Sequence, residues 1–333
     1  MKKILHKTSC LAAKFLLCFS ILVMVGWGIM AIFYSNLPAD RCLPASIIFA
    51  LVSAIILFRV RPFRRGIVVF LILFAGLIAW WRAIPPTNTR EWQPNMAVLP
   101  YANINQNIIT LHNIRNLDYR SEKDYTVQHY DKTVDLNKLQ TVDFYMVYWG
   151  SPLIAHTMMS FGFEDGTYVC FSIETRKEKG EDYSAVKGFF KQYELTYVMA
   201  DERDVVRLRT NYLKEDVHLY RLKMTPDTAR LVFLDYIKSM NELKEKPEWY
   251  NALLSNCTTN IRKHTAHFNP NAKLDWRLFV NGHLNEFVYE QGFLDQSLTA
   301  QELKKRSHVN QRAQAADKDP EFSKRIREGL PGL

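Results

Sequence analysis

The sequence predicts three membrane-spanning helices followed by an α+β domain built on an antiparallel sheet. Two patterns carry this. All of the formal net charge of +9 lies in residues 1–92, where eleven Lys and Arg are set among long apolar runs and face only Asp40 and Glu91. Beyond residue 92 the 32 bases and 32 acids balance, and strand-like runs are grouped ahead of helix-like ones, an order that fits an α+β domain. The basic excess is therefore a membrane-flanking pattern and points to no nucleic-acid partner.

Phe15 to Phe33, Leu43 to Phe58 and Gly66 to Trp81 are runs without a charge. A helix of about 20 apolar residues crosses the hydrocarbon core, with roughly 17 as the lower limit. The first run meets this and the other two come close. Arg59, Arg61, Arg64 and Arg65 form a basic turn between the second and third runs. Positive residues flank the cytoplasmic side, so this turn and the Lys2, Lys3 and Lys7 end face inward. Three crossings then deliver everything after Trp81 to the outside, with Trp80 and Trp81 as an interfacial belt. A cleaved signal peptide would have a shorter apolar stretch, about 7–15 residues, and a small-residue cleavage site. The expected arrangement is multi-pass, with the soluble domain outside the membrane.

The expected domains are a membrane domain at 1–83, a Pro-containing linker at 84–92, a soluble domain at 93–296 and a charged helical tail at 297–333. Val142 to Tyr148, Tyr193 to Met199, Asp204 to Thr210 and Val217 to Leu222 are expected strands. Ala155 to Phe163 and Thr167 to Thr175 flank Glu164-Asp165-Gly166, a hairpin signal with glycine at the left-handed position. Thr225-Pro226-Asp227 opens a helix to about Leu243.

Within "LLSNCTTNIRKH" (253–264), Ser255 and Asn256 are good N-caps, so Cys257 falls in a first helical turn. Unpaired N–H groups and the macrodipole stabilise a thiolate there, and the same N–H groups suit an oxyanion. A thiolate nucleophile needs a base within reach. His264 is seven residues on, about 10 Å along the helix, and is rejected. His156 is preferred: counting across the turn at 164–166 opposes it to Glu174, which would orient it as the acid of a triad does. Three rivals remain. Cys257 is a buried filler, it is bonded to Cys170, or it joins His264 and His267 at a metal; the last lacks a second Cys pair or an H-E-x-x-H pattern. No phosphate-binding glycine loop and no G-x-S-x-G motif is present, and no cofactor is expected.

Four stretches, "NIRNLDYRSEKDY" (113–125), "AHTMMSFGFEDGTYVCFSIETRKEKGEDYS" (155–184), "YELTYVMADERDVVRLR" (193–209) and "YNALLSNCTTNI" (250–261), together resemble the Lnb N-terminal periplasmic domain family. The resemblance spans about residues 100–295. It implies a circularly permuted papain-like fold, similar to the lecithin–retinol acyltransferase group, in which a cysteine takes an acyl chain from a phospholipid ester as a thioester. By position it implies Cys257, His156 and Glu174 as catalytic residues. Asn256, Tyr119, Arg120 and Arg176 are the motif residues expected to contact a head group or support the site. The implied activity is thiol acyl transfer from membrane phospholipid to a lipoprotein or other envelope acceptor. The alternatives are a thiol hydrolase of peptidoglycan peptides or lipids and a non-catalytic envelope protein stapled by Cys170–Cys257. In the transferase that names the family the periplasmic domain precedes the membrane helices. Here three helices come first, so the resemblance bears on the catalytic domain and leaves the acceptor open between a lipoprotein and another envelope molecule.

Overall fold

The computed structural model describes residues 2–266 and 275–332, with side chains from Leu11 onward. It divides into two compact units. The first contains three long helices, α1 (Lys2–Phe33), α2 (Ala39–Arg59) and α3 (Phe63–Ala83), together with the segment Ser184–Gln192. That segment carries the short helix α4 (Ala185–Phe189). Leu11–Phe33, Ala39–Arg59 and Phe63–Ala83 are each long and apolar enough to cross a membrane. Their large apolar side chains stay exposed, as at Leu22, Ile55 and Ile72. Buried Ser46 bonds internally, its Oγ donating to the Cys42 carbonyl at 2.8 Å, as an apolar solvent requires.

The second unit is built on a mixed, mostly antiparallel sheet. Its strands are β1 (Tyr101–Asn105), β2 (Ile108–Arg115), β5 (His129–Asp135), β6 (Leu139–Tyr148), β7 (Ala155–Phe163), β8 (Tyr168–Arg176), β9 (Glu194–Ala200) and β10 (Asp216–Arg221). They lie in the order β1-β2-β9-β8-β7-β6-β10, with β5 added beside β2. The β2–β9 contact is parallel. A separate pair, β3 (Asp118–Tyr119) and β4 (Tyr125–Thr126), forms its own ribbon. Gly166 takes the β7–β8 turn at φ +80°, the backbone region that only glycine enters without strain.

Alternation along the strands builds two cores. One face sets Phe144, Phe161 and Phe171 against α6 (Pro226–Glu245) and α7 (Cys257–Ala266). Phe233 of α6 is fully buried among three aromatic rings, each such side chain stabilising by about 1.5–3 kcal/mol. α8 (Leu284–Glu290) and α9 (Ala300–Arg306) add Leu284 and Leu303 to this side. The opposite face sets Tyr145, Met158 and Cys170 against α5 (Glu202–Arg207), α10 (Asn310–Ala315) and α11 (Phe322–Arg325).

One expectation is corrected here. Residues 204–210 are not a strand. Asp201 caps a helix by accepting from Arg203 N at 2.8 Å, and α5 passes into a π-turn at Leu208–Tyr212. The helix is fixed by Asp204, whose buried carboxylate takes two hydrogen bonds from Arg115 and one from Leu117 N. Residues 297–333 form helices, α9, α10 and α11, that lie on the domain. Val309, Phe322 and Ile326 are fully buried, and they cover the second face of the sheet. Arg327 fixes that cover by donating to both oxygens of Glu202, at 2.7 Å each, and to Asp143 at 2.9 Å. The residues expected as a linker are also tied down from Thr87 onward: Thr87 N donates to Glu194 at 2.6 Å and Trp92 is buried.

Candidate active site

Helix α7 begins at Cys257 because the residues before it form a reciprocal cap. Asn256 Oδ1 accepts from Thr259 N at 2.9 Å, and Thr259 Oγ1 accepts from Asn256 N at 2.9 Å. Asn260 N bonds to the Asn256 carbonyl. Of the helix's first four N–H groups this leaves those of Cys257 and Thr258 without an intrahelical acceptor. Asn256 is thus a capping residue, and its Nδ2 is turned to the Ala252 carbonyl.

The helix is pinned to β7 through Asn281. Its amide accepts from Ala155 N and donates to the Ala155 carbonyl and to Thr258 Oγ1, which faces Thr157 Oγ1 at 3.4 Å. The neighbouring Gly282 has to be glycine: a Cβ there would run into the Pro152 carbonyl. These contacts set Cys257 beside the start of β7, where His156 stands.

The register counted from sequence is the one observed. Met158 opposes Ser172 and Ser160 opposes Cys170, which extrapolates to His156 opposite Glu174. Pairing stops at Met158–Ser172, however, so His156 and Glu174 lie where β7 and β8 are no longer bonded. A third residue joins them. His156 Nε2 is 2.7 Å from Ser172 Oγ and 3.2 Å from Glu174 Oε1, and Ser172 Oγ donates to the same oxygen at 2.6 Å. Since the hydroxyl's proton goes to the carboxylate, Nε2 must carry a proton, and Nδ1 is the nitrogen available to the thiol. Arg209 also bonds Glu174 at 2.8 Å, and its other arm holds Glu215 at 3.0 Å.

The electrostatics follow from these contacts. Burial pushes the Cys257 thiol up, but the charge of His156, a hydrogen bond to its ring and hydrogen bonds from Thr157 more than offset this and bring it to about 7. Burial pushes His156 down, but Glu174 and the charge and hydrogen bond of Cys257 together outweigh it, raising the imidazole to about 9. For Glu174 burial acts upward, but His156 and Arg209 hold it well below the usual carboxylate range. Between about pH 7 and 9 the pair is a thiolate facing an imidazolium.

Cys257, His156 and Glu174 open onto a cleft of about 850 Å³. Its lining mixes aromatic residues (Trp149, Tyr183, Tyr250) with charged ones (Lys123, Lys177, Glu181). A smaller apolar cavity of about 130 Å³ lies against Thr258 and Ile261, and Cys257 does not line it.

The other motif residues are placed differently. Tyr119 lines the cleft but is buried, its hydroxyl 3.5 Å from Asp204. Arg120 does not line it; its exposed guanidinium is bonded to Asp124 and Thr126. Arg176 is buried and spent internally, on the Met96 and Ala97 carbonyls and Asn88, beneath Trp92. Neither arginine is placed to meet a head group in the cleft. Cys170 and Cys257 are both free thiols in separate cores on opposite faces of the sheet, which overturns the disulfide between them. His264 is held by Tyr197 and Asp235, and His267 lies outside the described residues. Among the described residues no group of three or more His, Cys, Asp or Glu is arranged to hold a metal ion.

Ser172, Arg209 and Asn281 were not expected. Ser172 was findable, being two residues from Glu174 on the same strand face. Arg209 was hidden by the mistaken strand, and Asn281 reaches β7 from 126 residues away.

Three apolar helices and an α+β domain whose cleft gathers a thiol, an imidazole and a carboxylate define a membrane-associated protein. The family model of the Lnb N-terminal periplasmic domain matches residues 125–282, a span containing His156, Ser172, Glu174, Arg209, Cys257 and Asn281. The match falls on the family that the motifs led one to expect. Comparison with curated proteins and with solved structures returns no match.

Proposed function

We propose that the protein is a membrane-anchored thiol acyltransferase working on the periplasmic side of a bacterial inner membrane. The observation that carries this is the meeting of Cys257, at the free N-terminal turn of α7, with a His156 whose far nitrogen is fixed by Ser172 and Glu174. The Cys257 thiolate attacks an ester carbonyl of a phospholipid, and the N–H groups of Cys257 and Thr258 receive the oxyanion. Collapse expels the lysolipid alkoxide, which takes the Nδ1 proton of His156, and leaves an acyl thioester. An amine or hydroxyl of a lipoprotein or other envelope acceptor then attacks the thioester. Neutral His156 takes its proton, and the thiolate departs. Histidine on a strand, cysteine later in the chain on a helix packed against that strand, supports the circularly permuted papain-like reading. The apolar helices support a lipid donor, since they hold the chain in the bilayer that contains it.

Mass spectrometry after incubation with isotope-labelled phospholipid tests this. An acyl mass on the peptide carrying Cys257 is expected, absent in Cys257→Ala. No adduct, together with unchanged activity in Cys257→Ala, overturns the reading. The charged cleft lining favours a second reading, a thiol hydrolase of envelope peptides with water as acceptor. Cleavage of purified peptidoglycan that is lost in His156→Ala selects it.

A further inference from the structure

Between β8 and β9 the chain leaves the outer domain's core and returns to it. The intervening segment, Ser184–Gln192, belongs to the compact unit of the three apolar helices. Its anchoring is specific. Lys191 Nζ donates to the carbonyls of Trp81, Arg82 and Ile84 at 2.9, 3.1 and 3.2 Å, satisfying the open C-terminal end of α3. Gln192 Nε2 donates at 2.6 Å to the carbonyl of Tyr34, the residue after α1. The ring of Phe190 stacks on Tyr34 at 5.9 Å and lies 6.2 Å from Trp27.

These contacts tie the segment to one level of the helices, the level at which the apolar stretches end, at Phe33 and Ala83. Tryptophan and tyrosine concentrate at membrane–water interfaces, and Trp27, Tyr34 and Trp81 gather there, with Trp27 edge-on to Trp81 at 5.3 Å. While Gly188 and Phe190 of the segment are buried, Val186 and Phe189 stand 44% and 42% exposed. Phe33 and Trp80, at the same helix ends, are exposed to a similar degree. The apolar face of α4 therefore continues the lipid-facing surface of α1–α3.

We propose that Ser184–Gln192 is an interfacial lipid anchor, with Val186 and Phe189 inserted at the headgroup–acyl boundary of the outer leaflet. A short element with one apolar face held at interface depth has this as its natural solvent, and water would leave two large apolar side chains exposed on an otherwise bonded segment. The occupant is the bilayer surface and not a second protein: the face is only two side chains wide and merges with surface that lipid must already cover. The inference does not rest on the thiol chemistry, and failure of either leaves the other standing.

The test uses the full chain in nanodiscs. Cys10, Cys18, Cys42 and Cys257 are replaced by serine, and Phe189→Cys or Val186→Cys is labelled with an environment-sensitive fluorophore. Glu164→Cys, at the exposed hairpin turn, is the aqueous control. At both anchor positions the emission is expected to shift to the blue. Lipids spin-labelled near the headgroup should quench it more than lipids labelled near the bilayer midplane, and the control should show neither effect. Water-like emission at 186 and 189 overturns the proposal. So does a blue shift without lipid quenching, which would mean that protein covers the face.

Discussion

At the N-terminal end of α7 a buried histidine, His156, is held through Nε2 by Glu174; at its C-terminal end another, His264, is held through Nδ1 by Asp235 at 2.6 Å. On paper both are histidine–carboxylate pairs in contact with the same helix. They differ in what the second ring nitrogen does. In His264 it is bonded to the Tyr197 hydroxyl at 2.6 Å, the ring is 4.1 Å from that of Tyr236, and the residue is fully buried. In His156 it is left for the Cys257 thiol at the rim of a cleft. A carboxylate partner is therefore not what marks a base. Both histidines have one, and only the geometry around the other nitrogen separates a proton carrier from a structural clamp.

The largest expected effect tests that separation directly. His156→Gln should lower acyl-thioester formation by about a thousandfold, within the ~10²–10⁴ range of a lost general acid–base group. His264→Gln should leave the rate per folded molecule nearly unchanged and instead lower stability by about 1–3 kcal/mol, the cost of leaving buried partners unsatisfied. Single-turnover rates with thermal unfolding of both variants decide it. If His264→Gln abolishes the adduct while remaining folded, the two ends of the helix have been read the wrong way round.

The second effect is on pH dependence. The folded thiol sits at about 7, below its ordinary 9.0, so it ionises as pH rises through 7. The folded imidazole sits at about 9, above its ordinary 6.5, so its positive charge is kept until pH rises through 9. Alkylation of Cys257 should therefore grow with pH around 7. In His156→Gln the inflection should move up, because the lowering charge is gone and burial, which acts upward, remains. In His264→Gln it should stay where it is. An unmoved inflection in His156→Gln would mean that the helix terminus alone ionises the thiol.

How much of this was legible beforehand depends on the range of the interaction. The hairpin from 155 to 176 is local, and its register followed from one turn and a count of residues, so His156 and Glu174 could be set opposite each other. The cap at Asn256 was equally local. The three long apolar helices were legible because apolar length is a property of contiguous sequence. The end of β7–β8 pairing at Ser172, the clamp by Asn281 and the bond from Arg209 were not legible, since each depends on chain that is remote in sequence or was assigned to the wrong element. Val205, Val206 and Thr210 read as a strand because β-branched residues favour one. The buried Arg115–Asp204 pair overrode that preference. Likewise the many charges of 297–333 concealed Val309, Phe322 and Ile326, which are spaced too unevenly to show a period.

A third variant asks how much the carboxylate contributes beyond orientation. Glu174→Gln keeps an acceptor for the Nε2 proton but removes the largest of the contributions that raise His156 to about 9. The imidazole should lose its proton at lower pH, narrowing the ion-pair window from above. A rate loss of about ten- to a hundredfold is expected, the equivalent of one or two units of pKa. The alkaline limb of the pH–rate profile should move down; if it does not move, Glu174 only positions the ring.

Ser172 should matter least, and the reason sharpens the comparison of the two histidines. Its hydroxyl accepts from Nε2 and donates to Glu174, so it relays a contact that the carboxylate also makes directly at 3.2 Å. In Ser172→Ala the ring keeps one acceptor for Nε2, the tautomer is preserved and Nδ1 still faces the thiol. The loss is one hydrogen bond within a charged cluster, worth about 1 kcal/mol and hence a fewfold change in rate. Tyr197 occupies the corresponding second-partner position at His264, yet it takes the nitrogen opposite the carboxylate and so closes the ring off. Should Ser172→Ala cost as much as Glu174→Gln with no shift in the alkaline limb, the hydroxyl and not the carboxylate would be what orients the base.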